Sequence, residues 1–499
     1  MLSDNSALIG VVCRTVGYRS GNGGVEVSVE TTHPLQRKRI LIVSDSVGTP
    51  IQPRGIFHYT TNLMRALHAC GHDLCLLVED APLHAIPARE QRQLDQRWPP
   101  AARCARLASI YNYLWEPRNI GRYPTRRNLR WLVARLLHWP SQAISLLSLA
   151  GVKLLLRRRV VLRARLVVND VRQLDFVPTR LTHLPTCSHV LLSEAVYSLA
   201  FASSALGVGA PTIDARGFDV ILVDTPSYFR FERSPGSEIV AVVHDLIPLA
   251  DPTMPRVWRR AFVNKIGAVL TGADSLIFVS ESTRSRFHEL FPEPMATRAT
   301  ILYPSVADDF GHGQDPSALR SHYSTEPNAH GYVLAIVSDE PRKNIANLVS
   351  AWSLLPQGIA LKIVGDVEPE RYRNAADPGS RIEILGYVDD DTKQRLIADA
   401  AAVIVPSFAE GFGIPIAEAM FFGKPVMCSD IPVFREVAGE HAAFFDPYSP
   451  AAIAAAVADC IDHPNLYRER ASAARELARS RFSVSALTAR VAQRFGTSG

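Results

Sequence analysis

The sequence predicts an α/β protein with two doubly wound domains that face one another. Short runs of uncharged, β-branched residues alternate with helical patterns, as expected for βαβ units in a parallel sheet. This alternation occurs twice, before and after a stretch at 301–330 where Asp, Gly, His, Pro and Ser cluster. The chain of 499 residues also exceeds what a single hydrophobic core normally serves.

The first half opens on a β-loop-α-β unit. The run ILIV at 40–43 predicts a buried strand, and the Gly- and Pro-containing segment 44–54 predicts a loop. A helix is predicted over 56–70, ended by Gly71, with the next strand at 74–78. Further strands are predicted at 220–223, 239–243 and 276–279.

The second half repeats this pattern after 330. Buried parallel strands are predicted at 333–337, 360–364, 381–385, 402–405 and 425–428. Helices are predicted at 344–355, 390–400 and 415–422, and again over 451–495 with a break at Pro464. The predicted domains are therefore an N-terminal α/β domain at 37–305, a C-terminal α/β domain at 306–480 and a helical tail at 481–499.

Composition excludes several classes of protein. The seven cysteines include no close Cys-x-x-Cys pair, and their odd number argues against a disulfide framework and fits a reducing cytoplasm. The net charge of +5 is weak support for an anionic partner. No uncharged apolar run reaches the length of a membrane span. Residues 1–36 contain no signal-peptide pattern and are expected to be a disordered lead or a mis-assigned start.

A basic insertion is predicted at about 85–190. Twelve Lys or Arg and no Asp or Glu lie between Arg118 and Arg165, interleaved with Trp and Leu. Such helices are typical of a membrane interface. The alternative is an insertion packed on the N-terminal domain with solvated arginines. The lack of acids favours the membrane, since a solvated face usually mixes signs.

The segment 406–418 (PSFAEGFGIPIAE) joins a predicted strand to a predicted helix through Gly411 and Gly413. Free backbone N–H groups and the positive end of the helix dipole suit a phosphate there. Glu410 in the loop and Glu418 in the helix can accept hydrogen bonds from sugar hydroxyls on either side of a diphosphate. The alternative is a solvated loop Glu and an ordinary helix-face Glu.

Two cations follow the strand predicted at 333–337. Arg342 and Lys343 lie at its carboxyl end, where open α/β sheets bind ligands. Such cations suit a diphosphate leaving group, on which negative charge builds. Asn344 is predicted to cap the next helix. A surface basic pair is the alternative, and the position favours function.

In the first half, His244 and Asp245 directly follow the strand predicted at 239–243. They would face the cleft if the two domains oppose one another. Gly55, at the first strand–helix turn, would let backbone approach a phosphate closely. A structural histidine and a plain helix-start glycine remain the alternatives.

Together these residues resemble glycosyltransferase family 4, the retaining enzymes of the GT-B fold. The resemblance is firm over about 330–450, fair over 39–80 and 239–306, and absent over 85–190. Where many relatives have Pro-Asn-Gly after the linker strand, this chain has Pro304 and Ser305 without the glycine. The matching segments are Glu-x7-Glu at 410–418, Pro-Arg-Lys-Asn at 341–344, 364–366, 385–388 and the mannosyltransferase-like element 243–248 (VHDLIP).

The resemblance implies two facing Rossmann-like domains, an acceptor-side domain at 37–305 and a nucleotide-sugar-binding domain at 306–480, and a role for each matching residue. Glu418 would hold the ribose of the donor, Glu410 would contact its sugar with His244 beside it, and Arg342 and Lys343 would neutralise the diphosphate. The implied catalytic residues are His244, Arg342, Lys343 and Glu410. The implied donor-binding residues are Gly55, Gly386, Tyr387, Val388, Gly411, Phe412, Gly413, Ile414 and Glu418.

No Asp-x-Asp segment of the metal-binding kind lies near the predicted cleft, and the acids at 389–391 are better interpreted as helix N-terminal residues. The cations would thus replace a metal, and no cofactor is expected beyond the nucleotide-sugar donor. The resemblance also implies attack on the same face of the sugar, with the departing phosphate taking the acceptor's proton.

The implied activity is transfer of a hexose to a glycan or polyisoprenyl-linked acceptor, and the VHDLIP element favours GDP-mannose as donor. Two alternatives are a catalytically silent scaffold that kept the fold and a sugar-nucleotide epimerase of the same fold. The intact set of charged site residues counts against both. We expect a cytoplasmic location, peripheral at an anionic inner membrane surface, and no nucleic-acid partner.

Overall fold

The computed structural model describes residues 37–45, 55–80, 161–162, 165–168, 187, 189–194, 196–207, 209–251, 256–292, 299–306, 331–356, 358–367, 372 and 381–497. The predicted lead at 1–36 and most of the predicted insertion at 85–190 lie outside these residues. Within the described part of the chain, no helix combines the length and hydrophobicity that a bilayer span requires.

The strands are β1 Arg39–Val43, β2 Asp73–Asp80, β3 Val161–Leu162, β4 Arg165–Val168, β5 His189–Glu194, β6 Thr212–Asp214, β7 Val220–Val223, β8 Arg230–Glu232, β9 Glu238–Val243, β10 Ser275–Phe278, β11 Ala299–Ile301, β12 Tyr332–Ile336, β13 Ala360–Val364, β14 Ile382–Gly386, β15 Ala402–Val405, β16 Val426–Ser429 and β17 Ala443–Phe445. The helices are α1 Gly55–Ala69, α2 Val196–Leu206, α3 Ile247–Ala250, α4 Arg256–Gly272, α5 Glu281–Leu290, α6 Ile345–Trp352, α7 Asp390–Asp399, α8 Ile414–Phe421, α9 Pro432–Ala438, α10 Pro450–Asp462, α11 Pro464–Phe482 and α12 Val484–Phe495.

The first sheet has eight strands in the order β11-β10-β9-β7-β1-β2-β5-β4. All neighbours are parallel except β4, which runs antiparallel to β5. Every residue of β7 and of β10 is buried, as expected for a parallel sheet covered on both faces. Because β1 lies between β2 and β7, the sheet has its switch point there, where open α/β sheets form a ligand crevice.

The second sheet has six strands, all parallel, in the order β14-β13-β12-β15-β16-β17. Its switch point lies at β12, whose neighbours are β13 and β15. All five strands predicted after residue 330 are present, with bounds shifted by at most one residue at either end. The short strand β17 was not predicted.

The C-terminal helices connect the two domains. Helix α11 packs on α8 of the second domain, and α12 returns to pack on α1 of the first. The His72 ring lies 2.9 Å from the carbonyl oxygen of Gly496, and Cys70 donates to the carbonyl oxygen of Thr488. The tail predicted at 481–499 therefore contains a helix that belongs to the core of the first domain.

The two domains also meet directly across the cleft. The Glu436 carboxylate in α9 accepts hydrogen bonds from the backbone N–H groups of Glu281 (2.6 Å) and Ser282 (2.8 Å) in α5. A carboxylate at a helix N-terminus accepts hydrogen bonds from backbone N–H groups that have no acceptor within the helix, and it interacts favourably with the positive end of the helix dipole. Here the carboxylate comes from the opposite domain, so the contact stabilises a closed arrangement.

Candidate active site

The candidate site is built first on the carboxyl end of β12. After Val337 the chain makes a 3₁₀ turn at Pro341–Lys343, which places Arg342 and Lys343 side by side. Asn344 ends this turn in the left-handed conformation, with φ of 60°. Its side-chain amide donates to the carbonyl oxygens of Pro406 (2.9 Å) and Pro447 (2.7 Å). Asn344 is the N-cap residue of α6, as predicted, but its side chain makes no capping hydrogen bond, because the amide ties the turn to two neighbouring loops.

Glu410 joins both cations in one cluster. Its Oε2 accepts from Arg342 Nη1 at 2.8 Å, and its Oε1 accepts from Lys343 Nζ at 2.6 Å. The Ser407 hydroxyl donates to Oε1 as well, at 2.8 Å. Arg342 also donates through Nε to Glu340, at 2.9 Å. Three residues that the sequence predicted for catalysis are therefore in direct contact.

Burial and ion pairing have opposite effects on the charged groups Glu410 and Arg342 of this cluster. Burial alone would raise the pKa of Glu410, but the nearby Lys343 and Arg342 outweigh it and lower that pKa below its ordinary value. Burial likewise disfavours the Arg342 cation, yet Glu410 and Glu340 raise its pKa. The cluster is a compact ionic unit at the end of the sheet.

The loop between β15 and α8 is shaped by its glycines. A Cβ on Gly411 would lie 2.2 Å from the carbonyl oxygen of His244, so only glycine lets the two domains approach this closely. Gly413 has a φ of 104°, and a Cβ there would lie 2.8 Å from the Phe434 ring. Phe412 between them is buried. Of the predicted loop residues, Gly411 and Ile414 therefore face the other domain, while Phe412 packs in the core.

Glu418 lies in α8 and is 5% exposed. Its Oε1 accepts from Lys393 Nζ of α7 at 2.8 Å. Burial disfavours the Lys393 cation, but Glu418 and Asp390 outweigh it and raise the pKa of Lys393. Lys393 was not predicted, because 25 residues separate it from Glu418 and no local pattern joins them.

The residues predicted to meet the base follow β14. Gly386 has a φ of 69°, and its carbonyl oxygen accepts from the Gly365 N–H at 2.8 Å. Tyr387 is 59% exposed, and Val388 is half-buried against the core. Of these three residues, Tyr387 is therefore the most accessible to a ligand.

His244 occupies the facing edge of the first sheet, at the end of β9. Its Nε2 lies 2.9 Å from the backbone carbonyl oxygen of Asp224, which fixes the proton on Nε2 in the neutral ring, because a carbonyl only accepts. The ring packs edge-on against Tyr59, with centroids 5.0 Å apart. The buried Asp224 carboxylate is 3.4 Å from the same nitrogen and accepts from the Ser44 hydroxyl. Asp224 is thus a positioning residue for His244 that the sequence did not reveal.

Gly55 begins α1 and lies against the second domain. A Cβ at this position would lie 2.9 Å from the Ile414 methyl. This places the N-terminus of α1 beside the N-terminus of α8 across the cleft. Asp245 and Arg342 line the same cavity; burial raises the pKa of the Asp245 carboxyl, and the Arg342 charge opposes this rise. The described residues contain no group of three or more His, Cys, Asp or Glu that could hold a metal ion.

Comparison with known sequences matches the second domain to a family. Residues 324–477 match the family model for glycosyl transferases group 1. Over 254 residues the chain is 31% identical to an O-antigen chain mannosyltransferase B of Escherichia coli, covering 49% of this chain and 65% of the relative. Over 107 residues it is 37% identical to a phosphatidyl-myo-inositol mannosyltransferase of Mycolicibacterium smegmatis, covering 20% and 27%. The chain therefore spans less than two thirds of these relatives.

Comparison with solved structures identifies the fold. A sucrose-phosphate synthase from Thermosynechococcus elongatus matches with a TM-score of 0.57 at 15% identity, covering 92% of this chain and 98% of that one. TarM of S. aureus matches with a TM-score of 0.52 at 11% identity, covering 93% and 100%. Together with the two sheets, one all parallel and one parallel except for β4, these likenesses establish the GT-B fold, which confirms the fold predicted from the sequence.

Proposed function

We propose that this protein is a retaining hexosyltransferase that moves mannose from GDP-mannose, a nucleoside-diphosphate sugar, to a glycan or lipid-linked oligosaccharide. One observation carries the proposal: Arg342, Lys343 and Glu410 converge at the end of β12, opposite His244 at the end of β9. The choice of mannose rests on the names of the relatives and on the VHDLIP element.

In the proposed reaction, the bond between the anomeric carbon and the β-phosphate oxygen breaks while the acceptor hydroxyl attacks from the same face. The acceptor's proton passes to the departing phosphate oxygen. Arg342 and Lys343 offset the negative charge that builds on the diphosphate. This contact accelerates the chemical step only to the extent that the two cations bind the transition state more tightly than the ground state. These two cations would supply the charge that a divalent ion supplies in other enzymes, so we propose a metal-independent site.

The remaining site residues bind the donor in this proposal. The Glu418 carboxylate, held by Lys393, accepts from the ribose hydroxyls. Backbone at Gly386–Val388 meets the base, and the N-terminus of α8 receives a phosphate. His244, with the proton fixed on Nε2, presents Nδ1 as an acceptor beside the transferred sugar.

The test is release of nucleoside diphosphate from a panel of nucleotide sugars by the purified full-length protein, with and without EDTA. We expect GDP-mannose to give the fastest release and EDTA to leave the rate unchanged. Loss of activity with EDTA, restored by manganese or magnesium, would contradict the metal-independent site. Absence of turnover with any donor would favour a silent scaffold, and inversion at a carbon of the free nucleotide sugar would favour an epimerase.

We further propose a cytoplasmic enzyme that is peripheral at an anionic membrane surface. This rests on the predicted basic insertion, most of which lies outside the described residues. Sedimentation with anionic vesicles at low salt, compared with neutral vesicles, tests it, because the attraction of Lys and Arg to anionic lipid is screened by salt. Indifference to vesicle charge would overturn this part of the proposal alone.

A further inference from the structure

A cavity of about 550 Å³ lies between the domains and reaches the candidate site. Its size falls within the usual range for small-molecule sites, roughly 300–1,000 Å³. The first domain contributes Asp245 and Ile247 to its wall, and the second contributes Phe408, Glu410 and Tyr448. Because Glu410 belongs both to the wall of the cavity and to the ionic cluster with Arg342 and Lys343, a molecule in the cavity would end beside that cluster.

An aromatic platform forms one wall of this cavity. The rings of Phe408 and Tyr448 are stacked, with centroids 4.7 Å apart and planes at 24°. Tyr448 is nevertheless 73% exposed. Since Phe408 covers one ring face, the exposed area includes the opposite face. A large exposed aromatic ring held in one orientation is more typical of a binding surface than of a folding contact.

The platform is tied to the cations of the candidate site. The Phe408 N–H donates to the carbonyl oxygen of Arg342 at 2.8 Å. Asn344, the residue that ends the turn carrying Arg342, donates to the carbonyl oxygen of Pro447, next to Tyr448. The ring is thus positioned relative to the reaction centre by two backbone contacts.

The chemistry of the cavity suits an uncharged sugar. The C–H bonds on one face of a pyranose carry partial positive charge and complement the negative face of an aromatic ring. Carboxylates accept hydrogen bonds from hydroxyls, and Asp245 and Glu410 both line the cavity. The two arginines in its wall already hold carboxylates, Arg286 with Glu289 and Arg342 with Glu410, each at 2.8 Å. A phosphate would have to compete for them, whereas a neutral hexose would not.

The cavity shares Arg342 and Glu410 with the site proposed for the diphosphate and the donor sugar, but it extends away from the region proposed for the nucleoside. Among the described residues, its lining leaves out Glu418, Lys393 and the backbone after β14. It extends from Glu410 towards Asp251 and Tyr448 instead. A donor whose sugar reaches Glu410 from the nucleotide side would leave this cavity open to the molecule that attacks the sugar.

We propose that the cavity binds the terminal, uncharged sugar of the acceptor glycan, with the free face of Tyr448 as its stacking platform. This inference rests on the proposed hexosyltransferase function. It assigns part of acceptor recognition to the second domain, so the acceptor is bound fully only when the two domains are closed.

The experiment compares Tyr448→Ala with Tyr448→Phe in the full-length protein, using α-linked mannotetraose as acceptor probe. Leu354→Ala, which removes another exposed apolar side chain of the same domain, is the matched control. Loss of one stacking contact should raise the acceptor KM of Tyr448→Ala about tenfold, or about 1.4 kcal/mol. We expect release of nucleoside diphosphate in the absence of acceptor to stay within about twofold in all three variants, and Tyr448→Phe to keep the wild-type KM.

Three results would overturn the inference. If Tyr448→Ala slows donor hydrolysis as much as transfer, the cavity serves the donor. If its acceptor KM matches that of the wild type, the platform binds no sugar. Calorimetric titration of mannotetraose into each protein measures acceptor binding without turnover. Equal binding by wild type and Tyr448→Ala would refute this inference. A wild-type protein that hydrolyses no donor would instead refute the proposed function, so the two failures can be told apart.

Discussion

Lys343 Nζ lies 2.6 Å from Glu410 Oε1, so the cation proposed for the diphosphate and the carboxylate proposed for the donor sugar form a single ion pair. Arg342 holds the other carboxylate oxygen. A donor therefore enters a site whose cations are already neutralised, and its phosphates must share them with Glu410.

This sharing leads to opposite effects on binding and on catalysis in one variant. Glu410→Gln frees both cations, so we expect GDP to bind several-fold more tightly. The same change removes the proposed contact with the donor sugar, so transfer should fall about a hundredfold. Calorimetry with GDP and steady-state kinetics measure the two effects. Weaker binding of GDP by the variant would contradict competition between Glu410 and phosphate.

The ion pairs of Glu410 also predict how stability depends on pH. Its pKa in the folded protein is lower than the ordinary 4.5, so its contribution to the free energy of unfolding is present above that value. The contribution is lost as pH falls through the folded pKa. Glu410→Gln should lower the free energy of unfolding near neutral pH by about 2 kcal/mol, and the deficit should shrink on acidification.

Urea unfolding at several pH values between about 7 and 3 measures this dependence. Glu383→Gln is the control, because that carboxylate is 58% exposed and pairs with Lys362 at 3.5 Å. We expect the control to change stability by less than about 1 kcal/mol. A Glu410→Gln deficit that stays constant with pH would mean that the ion pairs do not stabilise the fold.

Gly411 governs how closely the two domains approach. In Gly411→Ala the new methyl group would lie 2.2 Å from the carbonyl oxygen of His244, so closure should be blocked while each domain still folds. We expect kcat/KM for the donor to fall at least about tenfold. Gly209→Ala is the matched control, since a Cβ there meets nothing within 4 Å. Similar activity of the two variants would show that catalysis does not need the close approach of Gly411 to His244.

Much of the fold could be predicted because runs of apolar residues in the sequence coincide with strands that are buried in the structure. The uncharged runs at β7 and β15 are fully buried strands, β13 is mostly buried although Lys362 interrupts its apolar run, and the predicted bounds of all three match the structure. Strand β17 (AFF) is only three residues long and carries no periodicity, so pattern alone could not identify it. The basic insertion, the most unusual segment of the sequence, lies largely outside the described residues and stays a prediction.

The candidate site was partly predictable for a related reason. Arg342, Lys343 and Glu410 follow strand ends, and the carboxyl ends of neighbouring parallel strands meet at one edge of a sheet. Lys393 and Glu436 act through contacts with residues far away in the chain, which no spacing rule connects. Asn344 has the residue type of a helix cap, but tertiary partners take its side chain.

The pair formed by Lys393 and Glu418 provides a further prediction. Glu418→Ala should lower kcat/KM for the donor about a hundredfold, and Lys393→Ala should raise the donor KM by leaving the carboxylate without its cation. If the residues act as a unit, the double variant should lose no more than the worse single variant. Additive losses in a kinetic double-mutant cycle would show that Lys393 does not position Glu418.

Lys343→Met tests most directly the claim that Arg342 and Lys343 stabilise the departing diphosphate. The control is Lys362→Met, which removes a lysine of β13 that pairs with Glu383. The measurement is kcat for release of nucleoside diphosphate by each folded variant at saturating donor, with and without added magnesium. We expect kcat of Lys343→Met to fall at least about a hundredfold, without rescue by the metal, and Lys362→Met to keep the wild-type rate. A wild-type kcat in Lys343→Met would contradict the claim.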